Sequence, residues 1–165
     1  MSNLNSDFEG KLKLNKAMKS KLEGSAGYTK ELERNLLSQP LFYENNGFFM
    51  IKKDSKEIKE VNTEKILKLY KDRTGYEASV NECRIEDYFD CEKDDGLKIA
   101  MQLAEIWEEE LDRQFPDRIF YIIISSDEYS TTMRFYLYRE DETIWIDPDN
   151  IDSYEEAIAV MITDL

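Results

Sequence analysis

The sequence has no histidine and only two cysteines. Without histidine, zinc sites built on imidazole and triads that use it as base are excluded. Cys83 and Cys91 are not spaced as C-x-x-C, and they fit a reducing compartment better than a disulfide framework. They read as inert thiols, because nothing near them in the sequence would depress a thiol pKa. No apolar run approaches the roughly 18 residues of a membrane span. The leading "MSNLNSDFEGKLKLNKAMKSKL" has lysines but no continuous apolar stretch and no small-residue cleavage site. No signal peptide is therefore expected, and a cytoplasmic location is. Gly-rich phosphate loops, G-x-S-x-G and H-E-x-x-H are absent as well.

Two acidic stretches invite a calcium reading. In "DCEKDDG" (90–96), an EF-hand counted from Asp90 needs Gly at its sixth position and Glu at its twelfth. Those positions hold Asp95 and Met101, and counting back from Gly96 puts Cys91 and Lys93 in ligand places. "DPDNID" (147–152) alternates carboxylates but lacks a glycine, and a turn followed by a helix cap explains it better. No metal, no cofactor and no catalytic residue are expected.

What is present is a chain of 165 residues, long enough for one domain with a proper core. Hydrophobic content of 41% and aromatic content of 12% fit a globular protein. The formal charge of −14 is unevenly spread. Residues 1–80 hold 15 Lys+Arg against 12 Asp+Glu, a net of +3, and residues 81–165 hold 7 against 24, a net of −17. An acidic half that also carries aromatics attracts basic partners and repels nucleic acid and anionic membranes.

Periodicity and turn chemistry give an α+β chain. Residues 1–27 read as a loosely ordered basic arm, within which Leu14, Met18 and Leu22 allow a short helix; residues 28–165 read as one domain. "YTKELERNLLSQ" predicts a helix stopped before Pro40. Asn46-Gly47 predicts a type I′ hairpin turn between strands near 41–45 and 48–53. Asn62 is placed as an N-cap, with Val61 and Ile66 as a hydrophobic staple, a face of Ile66, Leu69, Tyr70 and Arg73, and Gly75 as the stop. "ASVNECRI" allows a strand and "EDYFDCEKDDG" a loop. A long helix over about 95–114, capped by Asp94 or Asp95 and ended by Pro116, buries Leu97, Ala100, Met101, Ala104, Trp107 and Leu111. Its outer face carries Glu105, Glu108, Glu109 and Asp112.

The remainder predicts an antiparallel meander, making about five strands in all, and a closing helix. A four-residue loop at 127–130 sets Ile124 opposite Met133, Ile122 opposite Phe135 and Phe120 opposite Leu137. A two-residue turn at Glu140-Asp141 sets Leu137 opposite Ile144 and Phe135 opposite Ile146. Both registers place these residues on one core face. The other face, with Ile119, Tyr121, Ile123, Arg134, Tyr136, Tyr138, Thr143, Trp145 and Asp147, is too aromatic to be simply wet, so something covers it. Ser153 and Glu156 are spaced as a capping box, ahead of a stripe of Tyr154, Ile158, Met161, Ile162 and Leu165.

Binding fits this surface better than catalysis. Interface centres favour Tyr, Trp, Phe, Met and Arg, and a surrounding field of carboxylates steers a basic partner. The candidate partner-binding residues are Tyr136, Tyr138, Glu140, Asp141, Glu142, Trp145, Asp147 and Asp149.

The acidic, aromatic stretch "RFYLYREDETIWIDPD", with the helix expected after it, resembles in style the bacterial immunity proteins of polymorphic-toxin and contact-dependent growth inhibition systems. These are small, acidic α+β proteins without catalytic motifs. The resemblance implies a cognate toxin, commonly a nuclease, blocked by tight binding. Two other readings stay open: an acidic regulatory or nucleic-acid-mimic domain that docks a basic protein, and an enzyme working with carboxylates alone. Oligomeric state is left open.

Overall fold

A computed structural model describes residues 12–24, 31–54, 60–92 and 95–163. The elements in order are β1 (Leu12–Leu14), α1 (Lys16–Glu23), β2 (Phe42–Asn45), β3 (Phe48–Ile51), α2 (Thr63–Tyr70) and α3 (Arg73–Val80). They continue with β4 (Cys83–Arg84), α4 (Asp95–Gln114), β5 (Phe120–Ser126), β6 (Thr131–Leu137) and β7 (Ala157–Ile162). Five strands form an antiparallel sheet in the order β1-β7-β5-β6-β4, and β2-β3 form a separate hairpin. The protein is α+β, as expected from the sequence.

The β5–β6 register is the one derived from side-chain alternation: Ile124 pairs Met133, Ile122 pairs Phe135 and Phe120 pairs Leu137. All six point into the main core, under α4. That helix buries Leu97, Ala100, Leu103, Ala104, Trp107 and Leu111 on the sheet, and the Trp107 indole N–H donates to the Leu37 carbonyl at 2.9 Å. The indole's polar edge is thereby satisfied inside the core. Glu108 departs from the expectation of an outer acidic face, since it is buried.

The hairpin turn has positive φ at both Asn46 (52°) and Gly47 (82°), as a type I′ turn requires. Asn62 caps α2 through the Lys65 N–H, and Val61 and Ile66 meet in a small core with Phe48 and Met50. Gly75 does not stop this helix. The chain breaks at Lys71 instead (φ 69°), Asp72 restarts it by accepting the Gly75 N–H at 2.7 Å, and Gly75 lies inside α3. Leu69, expected on the buried face, is 70% exposed. Residues 31–39, expected to be helical, are irregular over 31–34 and turn over 35–39, held by Asn35 and Ser38, whose side chains take the local N–H and C=O groups. Such side chains compete with helix hydrogen bonds. Residues 28–30 of that expected helix, Asp94 and Leu165 lie outside the described residues.

Three expectations for the chain's ends are corrected. Residues 12–24 of the supposed loose arm are a strand and a helix fixed to the sheet. Asn15 is the pin: its Oδ1 accepts the Met18 and Ile158 N–H groups, and its Nδ2 donates to the Glu156 carbonyl at 2.7 Å. The closing helix is instead β7, a central strand between β1 and β5. Ala157, Ala159 and Met161 enter the main core, while Ile158 and Val160 enter a second core on the opposite face. A strand buried on both faces reads as a continuous apolar run, and "AIAVMI" is one.

The third strand of the meander, "TIWID", is also not formed. The groups it would pair with on β6 are already taken by α3 and the Asn81 that ends it. The Leu137 N–H donates to the Glu77 carboxylate at 2.9 Å, and the Phe135 carbonyl accepts from Asn81 Nδ2 at 3.1 Å. Residues 138–156 therefore leave the sheet edge and fold across the second face. There Ile146, Ile151 and Tyr154 cover Tyr121, Ile123 and Tyr136, together with Ala78 of α3. The aromatic face is covered, as expected, and the cover is this excursion of the chain itself. Ile144 is left exposed and Ile146 is on the second core, not on the first.

Candidate functional site

The excursion between β6 and β7 carries all the residues singled out from sequence except Tyr136. Tyr136 belongs to the core. It is 1% exposed, its hydroxyl accepts the Ile146 N–H at 3.3 Å, and burial raises its ionisation far above the ordinary range. It supports the surface from below and offers nothing to a partner.

Above it lies a run of ring contacts. Tyr138 stacks on Tyr121 with centroids 5.5 Å apart and planes within 14°, and Trp145 meets the edge of Tyr136 at 6.4 Å. Trp145 is 40% exposed and Ile144 41%, side by side. The Arg134 guanidinium lies 4.4 Å from the Trp145 ring centroid, while its Nη1 donates to the Ala78 carbonyl at 3.0 Å. Trp145 is thus held by a cation–π contact on one side and open on the other.

The carboxylates divide into two kinds. Glu142 turns back into the protein and caps α3: its Oε1 accepts the Thr74 N–H at 2.8 Å and the Thr74 hydroxyl at 2.7 Å. Partial burial pushes its ionisation up, but Thr74, Arg139 and the Arg73 N–H outweigh this and hold it below the ordinary value. Asp147 caps the short helical turn Pro148–Ser153 by accepting the Asp149 N–H at 3.0 Å. Both residues are structural first. Glu140 and Asp141 are exposed near the start of the excursion, and Asp149 is exposed with a 3.2 Å ion pair to Lys13. Asp149 and Asp147 also raise the ionisation of Tyr121, after its own burial and the Tyr138 phenol, so these carboxylates border the tyrosine stack.

Ring contacts therefore link Tyr138, Tyr121, Tyr136 and Trp145 in turn, with Asp147 and Asp149 acting on Tyr121, while Glu140 and Asp141 are exposed near the start of the excursion. Sequence reasoning missed what aims this excursion. Arg139 Nη1 and Nη2 donate to the two oxygens of buried Glu77 at 2.9 and 2.7 Å, and Nη2 also reaches the Gly47 carbonyl at 3.1 Å. Hairpin turn, α3 and excursion are joined at one guanidinium. The available signal was Glu77 lying one turn before Asn81 in "YEASVN", two polar residues on one side of a short apolar stretch.

Burial pushes the Cys83 thiol up to about 11, in keeping with an inert core cysteine. Among the described residues, no group of His, Cys, Asp or Glu could hold a metal ion, and no helix is long and apolar enough to cross a membrane.

No curated protein and no solved structure matches the chain. Residues 13–164 match the model of the family described as "Uncharacterized protein PM0498 family", and the chain belongs to that family.

Proposed function

We propose that the protein is an immunity protein, which binds a cognate bacterial toxin and neutralises it by covering a basic surface. One observation carries the reading: Ile144 and Trp145 are adjacent, each about two-fifths exposed, beside a tyrosine stack bordered by Asp147 and Asp149. An exposed aromatic centre with a charged rim is the arrangement in which desolvation supplies affinity and the rim supplies rate and selectivity. The excess of carboxylates in residues 81–165 supports a basic partner over an acidic one.

The test is co-purification of the tagged chain with the product of the gene directly upstream. A single basic protein should be retained, with an affinity that falls as salt rises. Trp145→Ala should weaken it by about 2 kcal/mol, roughly thirtyfold, and Glu140→Gln with Asp141→Asn should mainly slow association. Affinity indifferent to salt and to these charges would remove the steering argument. Retention of several unrelated DNA-binding proteins would favour the nucleic-acid mimic instead.

A further inference from the structure

A cleft of about 330 Å³ lies between α3, the end of α2 and residues 50–54. This is within the range of roughly 300–1,000 Å³ typical of small-molecule sites. Three tyrosines from three elements meet there: Tyr43 of β2, Tyr70 of α2 and Tyr76 of α3. The Tyr70 and Tyr76 rings are 5.2 Å apart, edge to face, and Tyr76 rests in turn on Phe48 at 5.3 Å. Burial, then the Tyr43 and Tyr70 phenols, raise the ionisation of Tyr76.

Among the described residues, the charged groups lining the cleft are Lys52, Lys53 and Asp54, so cations outnumber anions two to one there. The Lys53 ammonium donates to the Glu82 carbonyl, which lies beyond the residues that line the cleft, and it keeps further N–H donors on the same group. This is the opposite of the acidic excursion, and it falls in the part of the chain with positive net charge. Aromatic walls favour a flat apolar body, and ammonium and phenol groups are donors to an oxyanion.

We propose that this cleft binds a small aromatic anion, a carboxylate or phosphate monoester, whose ring packs among Tyr43, Tyr70 and Tyr76 and whose charge is met by Lys52 and Lys53. The site is independent of the proposed toxin-binding surface and stands or falls separately from it.

Phenyl phosphate is the probe, titrated into the full chain and followed by amide chemical shifts, with phenol and inorganic phosphate in parallel. Phenyl phosphate should saturate, with shifts concentrated at residues 50–54 and 76–80, while phenol and inorganic phosphate bind at least about tenfold more weakly. Lys52→Gln should weaken phenyl phosphate by about fivefold, the scale of one partly screened charge contact. Tyr70→Ala, at a half-exposed helix end, should weaken it while leaving the spectrum of the folded protein intact. Absence of saturable shifts, shifts centred elsewhere, equal binding of inorganic phosphate, or no effect of Lys52→Gln would each overturn the proposal.

Discussion

Arg139 holds Glu77 with both terminal guanidinium nitrogens, at 2.9 and 2.7 Å, where the Glu77 side chain has no exposed surface and that of Arg139 is 9% exposed. The same carboxylate accepts the Phe49 N–H of the hairpin and the Leu137 N–H of the sheet, each within 2.9 Å. Two separate sheets are therefore tied through one side chain of α3. Arg139→Ala would leave that carboxylate buried without a counter-charge. It should destabilise the protein by about 3–5 kcal/mol in urea unfolding. Pairing Glu77→Gln with Arg139→Met removes the uncompensated charge and should cost less than Arg139→Ala alone. An unchanged midpoint for Arg139→Ala would mean that the pair does not join the sheets.

Glu142 gives a pH dependence of known sign. Its folded ionisation lies below the ordinary 4.5, because the hydrogen bonds from Thr74 and Arg73 and the charge of Arg139 outweigh partial burial. Above pH 4.5 the cap on α3 contributes fully. As pH falls from there through the lower folded value, the unfolded chain takes up the proton first, and the contribution is lost. Glu142→Gln should flatten this part of the acid unfolding curve. Equal slopes for the two proteins below pH 4.5 would show that the cap has no part in acid stability.

Much of the main core was legible in the sequence. The β5–β6 register, the stripe of α4, the Asn46-Gly47 turn and the Asn62 cap each rest on local chemistry that tertiary contacts did not override. The misses share another cause. "AIAVMI" carries no period that separates a doubly buried strand from a helix, and the preceding Ser153…Glu156 spacing imitated a capping box. "TIWID" had the alternation of a strand, but its place beside β6 is filled by Glu77 and Asn81, over 50 residues earlier. Side chains that substitute for a neighbouring strand leave no mark in the strand they displace. The same reason hid Tyr43, Tyr70 and Tyr76 as a cluster, and it sent Glu142 to a helix cap rather than to the surface.

Asn15 tests whether residues 12–24 belong to the fold. It is 1% exposed, and its amide satisfies two backbone N–H groups and the Glu156 carbonyl. Asn15→Ala leaves these buried groups without partners, at about 1–3 kcal/mol for each that water cannot reach. Urea unfolding should show a loss of at least about 2 kcal/mol, and amide exchange should quicken first in Leu12–Leu14 and its partners in β7. Unaltered stability and exchange would restore the reading of a detached arm.

The two tryptophans differ enough to report on the proposed surface without any partner. Trp107 has no exposed surface, packed edge to face against Phe42 and Phe135, whereas Trp145 is 40% exposed. Trp145→Phe should therefore remove most acrylamide quenching and shift the remaining emission to the blue. Charged quenchers then read the local field. Arg134 lies 4.4 Å from the Trp145 ring centroid, but Asp147 and Asp149 lie on the same excursion, and Glu140 and Asp141 are exposed near its start. If the carboxylates govern the field, the ratio of caesium to iodide quenching at Trp145 exceeds that of free tryptophan at low ionic strength, and salt narrows the difference. Replacing Glu140 and Asp141 by their amides should narrow it as well. A caesium-to-iodide ratio below that of free tryptophan would mean that Arg134 dominates, and the case for a basic partner at Trp145 would fail on electrostatics alone.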